Sequence, residues 1–126
     1  MEINWKEVKG VGILSPCGRL DAYASNEIET KLNSLIDTAK VKLVVSFEKL
    51  DYISSSGLRV LLATLKKVRK QNGDIRLACL KPQVKEVFDM AGFSQLFTIV
   101  DVEQTAVDSF NNPKDADQKD KVPQNN

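Results

Sequence analysis

Apolar and polar positions alternate along this chain of 126 residues in a regular succession of strand-like and helix-like segments. The pattern opens with a predicted β-hairpin. Ile3, Trp5 and Val8 lie on its first strand, Lys9-Gly10 forms a turn, and Val11–Leu14 begins the second strand. A hairpin at the start predicts that the sheet contains at least one antiparallel pair.

Three apolar stripes at helical spacing predict three helices, and the segment Val102–Phe110 predicts a fourth. Ser25 is the predicted N-cap of the first helix, Asn72-Gly73 ends the second, and Pro82 opens the third in its first turn. The stripe positions of the three helices are Ile28, Leu32, Leu35 and Ile36; Leu58, Leu61, Leu62, Leu65 and Val68; and Val84, Val87, Phe88 and Ala91.

Short runs rich in β-branched residues separate the helices and predict the remaining strands. Leu43-Val44-Val45 with Phe47 is typical of a strand buried on both faces, and Ile75, Leu77 and Cys79 alternate as in a half-buried strand. Phe97–Val100 is the last predicted strand. The resulting order, ββαβαβαβα, indicates an α/β fold with a mainly parallel or mixed β-sheet covered by helices.

The composition changes at Asn111, after which Asn, Asp, Lys, Gln and Pro dominate. Val122 is the only sizeable apolar side chain beyond that point, so this segment buries too little surface to offset its ordering entropy. We therefore predict one folded domain over residues 1–110 and a disordered polar tail over residues 111–126.

Composition excludes several classes of function. The chain has 18 basic and 17 acidic residues, which gives no global attraction to nucleic acid or anionic membranes. It has no histidine, so a histidine-dependent triad or a histidine-ligated metal site is impossible. Cys17 and Cys79 form no metal or redox motif and are expected to be reduced thiols, although a disulfide between them stays open. We expect no cofactor and no metal.

Charges interrupt the first residues, and no apolar run approaches the ~20 residues of a membrane span. These features predict a cytoplasmic protein without a signal peptide.

The informative polar segment is Ser54-Ser55-Ser56-Gly57, between a buried strand and the second helix. A helix N-terminus carries unpaired N–H groups and partial positive charge, so a serine there can cap the helix or carry a phosphate. On physical grounds alone, a helix cap is favoured over a phosphate acceptor, because serine is common at helix N-caps. The segment is neither a G-x-S-x-G elbow nor a P-loop. Asp21 either caps a turn or lies at the same sheet edge as the serines.

Two further segments have alternative interpretations. Lys66–Lys70 is more typical of a solvated helix end than of a nucleic-acid contact, because it lacks aromatic residues. Met90–Phe93 is expected to combine core and helix-cap residues, and any exposed part of it would be a binding patch.

Four segments in order resemble the STAS domain, and within it the bacterial anti-sigma factor antagonists. They are Gly18–Asp21, Leu43–Phe47, Asp51–Leu58 and Phe88–Phe93. The resemblance extends from Ile3 to Phe110. It implies a mixed sheet with helices packed on one side, and a protein that is a regulator rather than an enzyme.

The resemblance also implies a phosphorylation switch at Ser55, with Ser56 as the alternative acceptor. A GHKL-type serine kinase that doubles as an anti-sigma factor would bind the unmodified chain and release it once phosphorylated, and a PP2C-type phosphatase would reset it. The implied partner-binding residues are Asp21, Ser54, Ser55, Ser56, Gly57 and Leu58. Many members have Asp where this chain has Ser54, and Asp21 matches the acid on the family's first loop.

Two other functions stay open. A STAS subunit of a transporter or of a sensory scaffold would bind its partner constitutively, with Ser55 as an N-cap. Nucleotide binding or slow hydrolysis is less favoured, because the chain has no recognisable phosphate-cradling loop.

Overall fold

The structure, a computed structural model, describes residues 1–111, so the predicted tail lies outside the described residues except for Asn111. The elements in chain order are β1 (Ile3–Val8), β2 (Val11–Pro16), β3 (Gly18–Leu20), α1 (Ala22–Asp37), β4 (Lys42–Ser46), β5 (Leu50–Ile53), α2 (Ser55–Arg69), β6 (Asp74–Ala78), α3 (Pro82–Met90), β7 (Thr98–Val100) and α4 (Glu103–Asn111).

Five strands form the main sheet in the order β1-β2-β4-β6-β7. β1 pairs antiparallel with β2, and the other three pairings are parallel, so the sheet is mixed as predicted. The hairpin turn is also confirmed, because Lys9 and Gly10 both have positive φ, as a type I′ turn requires. The short strands β3 and β5 form a separate parallel pair that the sequence pattern did not predict.

The larger part of the core lies between one face of the sheet and helices α1, α2 and α3. Leu43, Val45, Ile75 and Leu77 point to this face, and the ring of Phe88 packs 5.9 Å from that of Phe47. Burial of these side chains is what holds the three helices on the sheet, at about 1.5–3 kcal/mol for each large apolar side chain.

The prediction that all helices lie on one side is wrong for α4. Val44 and Ala78 alternate with the residues of the larger core and therefore point to the opposite face. There they pack with Ala106 and Val107 of α4. The helix covers that face because the sheet's second face is also apolar and would otherwise be exposed to water.

The predicted N-cap of the first helix is corrected as well. Helix α1 begins at Ala22 and is capped by Asp21, whose carboxylate accepts a hydrogen bond from the Ala24 N–H at 2.9 Å. Ser25 lies inside the helix and is buried. Its hydroxyl donates to the Asp21 carbonyl oxygen at 2.7 Å.

Candidate functional site

The parallel pair β3–β5 brings the starts of two helices together. Leu20 is in register with Ile53, and the Ser54 N–H donates to the Leu20 carbonyl oxygen at 2.9 Å. Because α1 follows β3 and α2 follows β5 directly, their N-caps Asp21 and Ser54 are neighbours. This placement confirms that Asp21 and the serine segment share one edge of the fold.

The three serines at this edge have different environments. Ser54 is the N-cap of α2: its hydroxyl accepts from the Gly57 N–H at 3.1 Å, and its carbonyl oxygen accepts from the Leu58 N–H at 3.0 Å. Ser55 is the first residue of the helix and is exposed, whereas Ser56 is half-buried. The cap interpretation therefore accounts for Ser54, and the alternative with Ser55 as the cap is wrong.

Gly57 and Leu58 lie beneath this surface. A Cβ atom on Gly57 would lie 3.0 Å from both Ile53 Cγ1 and Leu20 Cγ, so glycine lets α2 approach the β3–β5 pair closely. Leu58 is 5% exposed and packs in the larger core. Both residues support the helix start from inside, whereas Asp21 and Ser55 are exposed at its surface.

Sequence reasoning missed the aromatic surroundings of the site. Tyr23, in the first turn of α1, is 82% exposed, and Tyr52 on β5 is 38% exposed. The Arg19 guanidinium stacks over the Tyr52 ring at 4.1 Å from its centroid. Tyr52 lies in sequence between Leu50 and Ile53, and both of these neighbours are buried in the structure. This apolar context gave no indication that the Tyr52 ring is partly exposed beside the site.

The Met90–Phe93 segment is more exposed than predicted. Met90 is 82% exposed and Ala91 is exposed, because α3 ends at Met90 and the chain turns at Gly92, where φ is +77°. Within this segment only Phe93 packs against the core. Just before it, the pKa of Asp89 is lowered, first by a hydrogen bond from the Ser94 hydroxyl and then by Lys85.

The cap assignment makes a direct stability prediction. Ser54→Ala should lower the free energy of unfolding by about 1 kcal/mol, because the Gly57 N–H loses its acceptor. Ser54→Asp should keep the stability, since a carboxylate is also a good N-cap and suits the positive end of the helix. Urea denaturation measures both, with Ser55→Ala as the control. A Ser55→Ala loss as large as that of Ser54→Ala would contradict the assignment.

Within residues 1–111, every helix is too short or too polar to cross a lipid bilayer.

This chain is similar to known proteins in both sequence and fold. The family model described as "STAS domain" matches residues 2–106. A Bordetella bronchiseptica protein named as an anti-sigma factor antagonist, BtrV, is 32% identical over 110 residues, covering 87% of this chain and 95% of the relative. The anti-sigma F factor antagonist of Paenibacillus polymyxa is 27% identical, with coverage of 85% and 92%.

The anti-sigma factor antagonist SpoIIAA has been solved in an unphosphorylated and a phosphorylated form. Both are 21% identical to this chain and superpose with TM-scores of 0.70 and 0.69. The matches cover 87% and 86% of this chain, and 98% and 99% of SpoIIAA. At this level of identity the likeness establishes a shared fold.

Proposed function

This chain belongs to the STAS domain family, among its anti-sigma factor antagonists, and on that premise we propose that it is a partner-switching regulator controlled at Ser55. Unphosphorylated, it binds a GHKL-type serine kinase that is also an anti-sigma factor, and so frees a sigma factor in the cytoplasm. The kinase transfers the γ-phosphoryl group of ATP to Ser55 Oγ, with loss of the hydroxyl proton and release of ADP. The phosphorylated chain then dissociates, and a PP2C-type phosphatase restores the hydroxyl. The chain itself is a binding protein and kinase substrate, not an enzyme.

The observation that carries this proposal is the division of roles between Ser54 and Ser55. Ser54 satisfies the helix cap, so the exposed hydroxyl of Ser55 can be modified without breaking the local structure. Ser56 is half-buried and therefore the less accessible acceptor. Among the three serines, Ser55 combines exposure with a position at the start of α2.

A phosphate on Ser55 suits this chain and opposes a bound partner. It adds about −1.5 to −2 charges, which the positive end of a helix tolerates. A partner surface packed over the unmodified hydroxyl would instead meet a poorly hydrated dianion, and such repulsion costs several kcal/mol. A local charge change therefore switches binding without refolding the domain.

The geometry also bears on Ser54 and Asp21. Hydroxyl and carboxylate groups both cap helices well, so Ser54 preserves the local structure where many family members have Asp. Asp21 places a carboxylate on the adjacent helix start, and we propose that it helps dock the kinase beside Ser55. Its replacement by Asn would keep a capping oxygen while removing the charge.

Affinity capture from a lysate of the native cell, with mass spectrometry, tests the proposal. Wild type and Ser55→Ala should retain a GHKL-type kinase, and Ser55→Asp should release it. Incubation with ATP should place phosphate on Ser55 in the wild type and none on Ser55→Ala. A transporter or scaffold protein held equally by all forms would instead support a constitutive STAS subunit. Phosphate found on Ser56 alone would move the switch by one residue.

A further inference from the structure

Helix α2 carries charges of one sign only. Its charged residues are Arg59, Lys66, Lys67 and Arg69, and Lys70 continues the helical backbone at its C-cap. Lys67 and Arg69 are engaged within the domain, with Asn33 at 2.9 Å and Asp74 at 3.2 Å. Within residues 1–111, Arg59, Lys66 and Lys70 take part in no ion pair. We call these three residues the basic stripe.

The basic stripe is aligned with Ser55. The residues at 55, 59, 63, 66 and 70 follow one another at intervals of four, four, three and four, so they lie along one face of the helix. All five are exposed, and Ala63 is the small residue between the charges. At about 1.5 Å per residue, the face extends roughly 22 Å from the serine to Lys70.

The helix dipole explains only part of the stripe. The negative end of the helix dipole lies at the C-terminus, where it stabilises the charges of Lys66 and Lys70. Arg59, however, lies in the second turn, nearer the positive end, where the dipole gives no stabilisation to a cation. Interaction with the helix dipole therefore does not account for the charge of Arg59.

We propose that the basic stripe is a second contact for the partner that recognises Ser55, and that it fits an acidic face of that protein. The inference rests on the proposed function, because it names the chemistry of the same partner.

Two other ligands, nucleic acid and a membrane, fit the basic stripe less well. Nucleic-acid affinity comes mainly from many basic contacts to phosphates, about 6–10 in a strongly salt-dependent binder, whereas the stripe has three charges on a helix that contains no aromatic residue. Membrane insertion needs an exposed apolar face, whereas Leu61 and Leu65 of α2 are buried.

The stripe also links phosphorylation to release. Ser55 and Arg59 are spaced i, i+4 with the acceptor nearer the N-terminus, the favourable order for an ion pair on a helix. A phosphate on Ser55 would therefore pair with Arg59 and remove one charge from the partner contact. Phosphorylation would then repel the partner and also neutralise Arg59, which leaves Lys66 and Lys70 as the free charges of the basic stripe.

Stopped-flow association with the purified kinase, recovered by capture on the unphosphorylated chain, tests the inference. Arg59→Glu/Lys66→Glu should slow association about tenfold at low salt and flatten its salt dependence, because charges at an interface act mainly on the encounter rate. The matched control is Lys9→Glu/Lys42→Glu, which changes the net charge equally. Both control lysines are exposed and lie outside α2. Circular dichroism melts confirm that both variants fold.

The outcomes separate this inference from the proposed function. Release by Ser55→Asp together with unchanged association of the stripe variant would overturn the inference and leave the switch intact. An equal slowing by the control variant would assign the effect to net charge and also overturn it. Wild-type binding to an RNA oligomer or to phosphatidylserine vesicles, lost in the stripe variant, would assign the stripe to a phosphate polyanion instead. A wild type that retains no kinase would overturn both proposals.

Discussion

Ser55→Asp is expected to weaken binding of the kinase about a hundredfold, which corresponds to about 2.7 kcal/mol. The carboxylate would lie at the exposed start of α2, where the partner packs over an uncharged hydroxyl in the proposed complex. Like charges or a poorly hydrated charge at an interface cost several kcal/mol, so a loss of this size is within the expected range. Isothermal titration calorimetry with the purified kinase measures the affinity directly.

The same substitution should leave the fold intact. Negative charge in the first turn of a helix is tolerated or mildly stabilising, so the free energy of unfolding should stay within about 1 kcal/mol of the wild type. Ser55→Ala is the matched control, since it removes the hydroxyl without adding charge and should bind like the wild type. If Ser55→Asp binds as tightly as Ser55→Ala, the switch does not lie at Ser55.

Gly57→Val is expected to lower the free energy of unfolding by about 2–3 kcal/mol, because it overpacks the start of α2. The Cβ atom that valine adds would lie 3.0 Å from Ile53 Cγ1 and Leu20 Cγ, and its two methyl groups would add further volume to a closed space. The side chain would push the start of α2 away from the β3–β5 pair. Kinase binding should therefore weaken along with stability, because Ser55 moves with the helix.

Ala63→Val is the control that separates the effect of crowding at Gly57 from the effect of valine's lower helix propensity on stability. It introduces the same β-branched side chain into the same helix at an exposed position, where the cost is about 0.5 kcal/mol. Urea denaturation of both variants measures the difference. Equal losses at the two positions would contradict the close packing inferred for Gly57.

The sequence pattern predicted the order of the main strands and helices because each buries a periodic apolar face. Four residues of the predicted stripe in α2, Leu58, Leu61, Leu65 and Val68, are buried in the structure. The fifth, Leu62, is half-buried and packs against the edge of the core. The side of the sheet that a helix covers is not encoded in that periodicity. The apolar positions of α4 indicate that one face is buried, but only the second apolar face of the sheet, with Val44 and Ala78, determines where it packs.

The local details of the site were harder to predict because several residues could play the same role. Asp21 and Ser25 are both good N-cap residues, and they lie four positions apart in the sequence. The choice depends on β3, a strand of three residues whose partner residues in β5 lie 32 or 33 positions further along the chain. Within Ser54–Ser56, the structure distinguishes the cap from the exposed hydroxyl, which composition does not.

In the proposed switch, one phosphate on Ser55 controls partner binding. The most direct measurement is the affinity of the purified kinase for this chain with phosphoserine incorporated at position 55, beside the unmodified chain and a chain with phosphoserine at position 56. We expect phosphoserine at position 55 to lower the affinity at least about a hundredfold and to leave the melting temperature unchanged. Equal affinity of the modified and unmodified chains, or a loss confined to position 56, would contradict it.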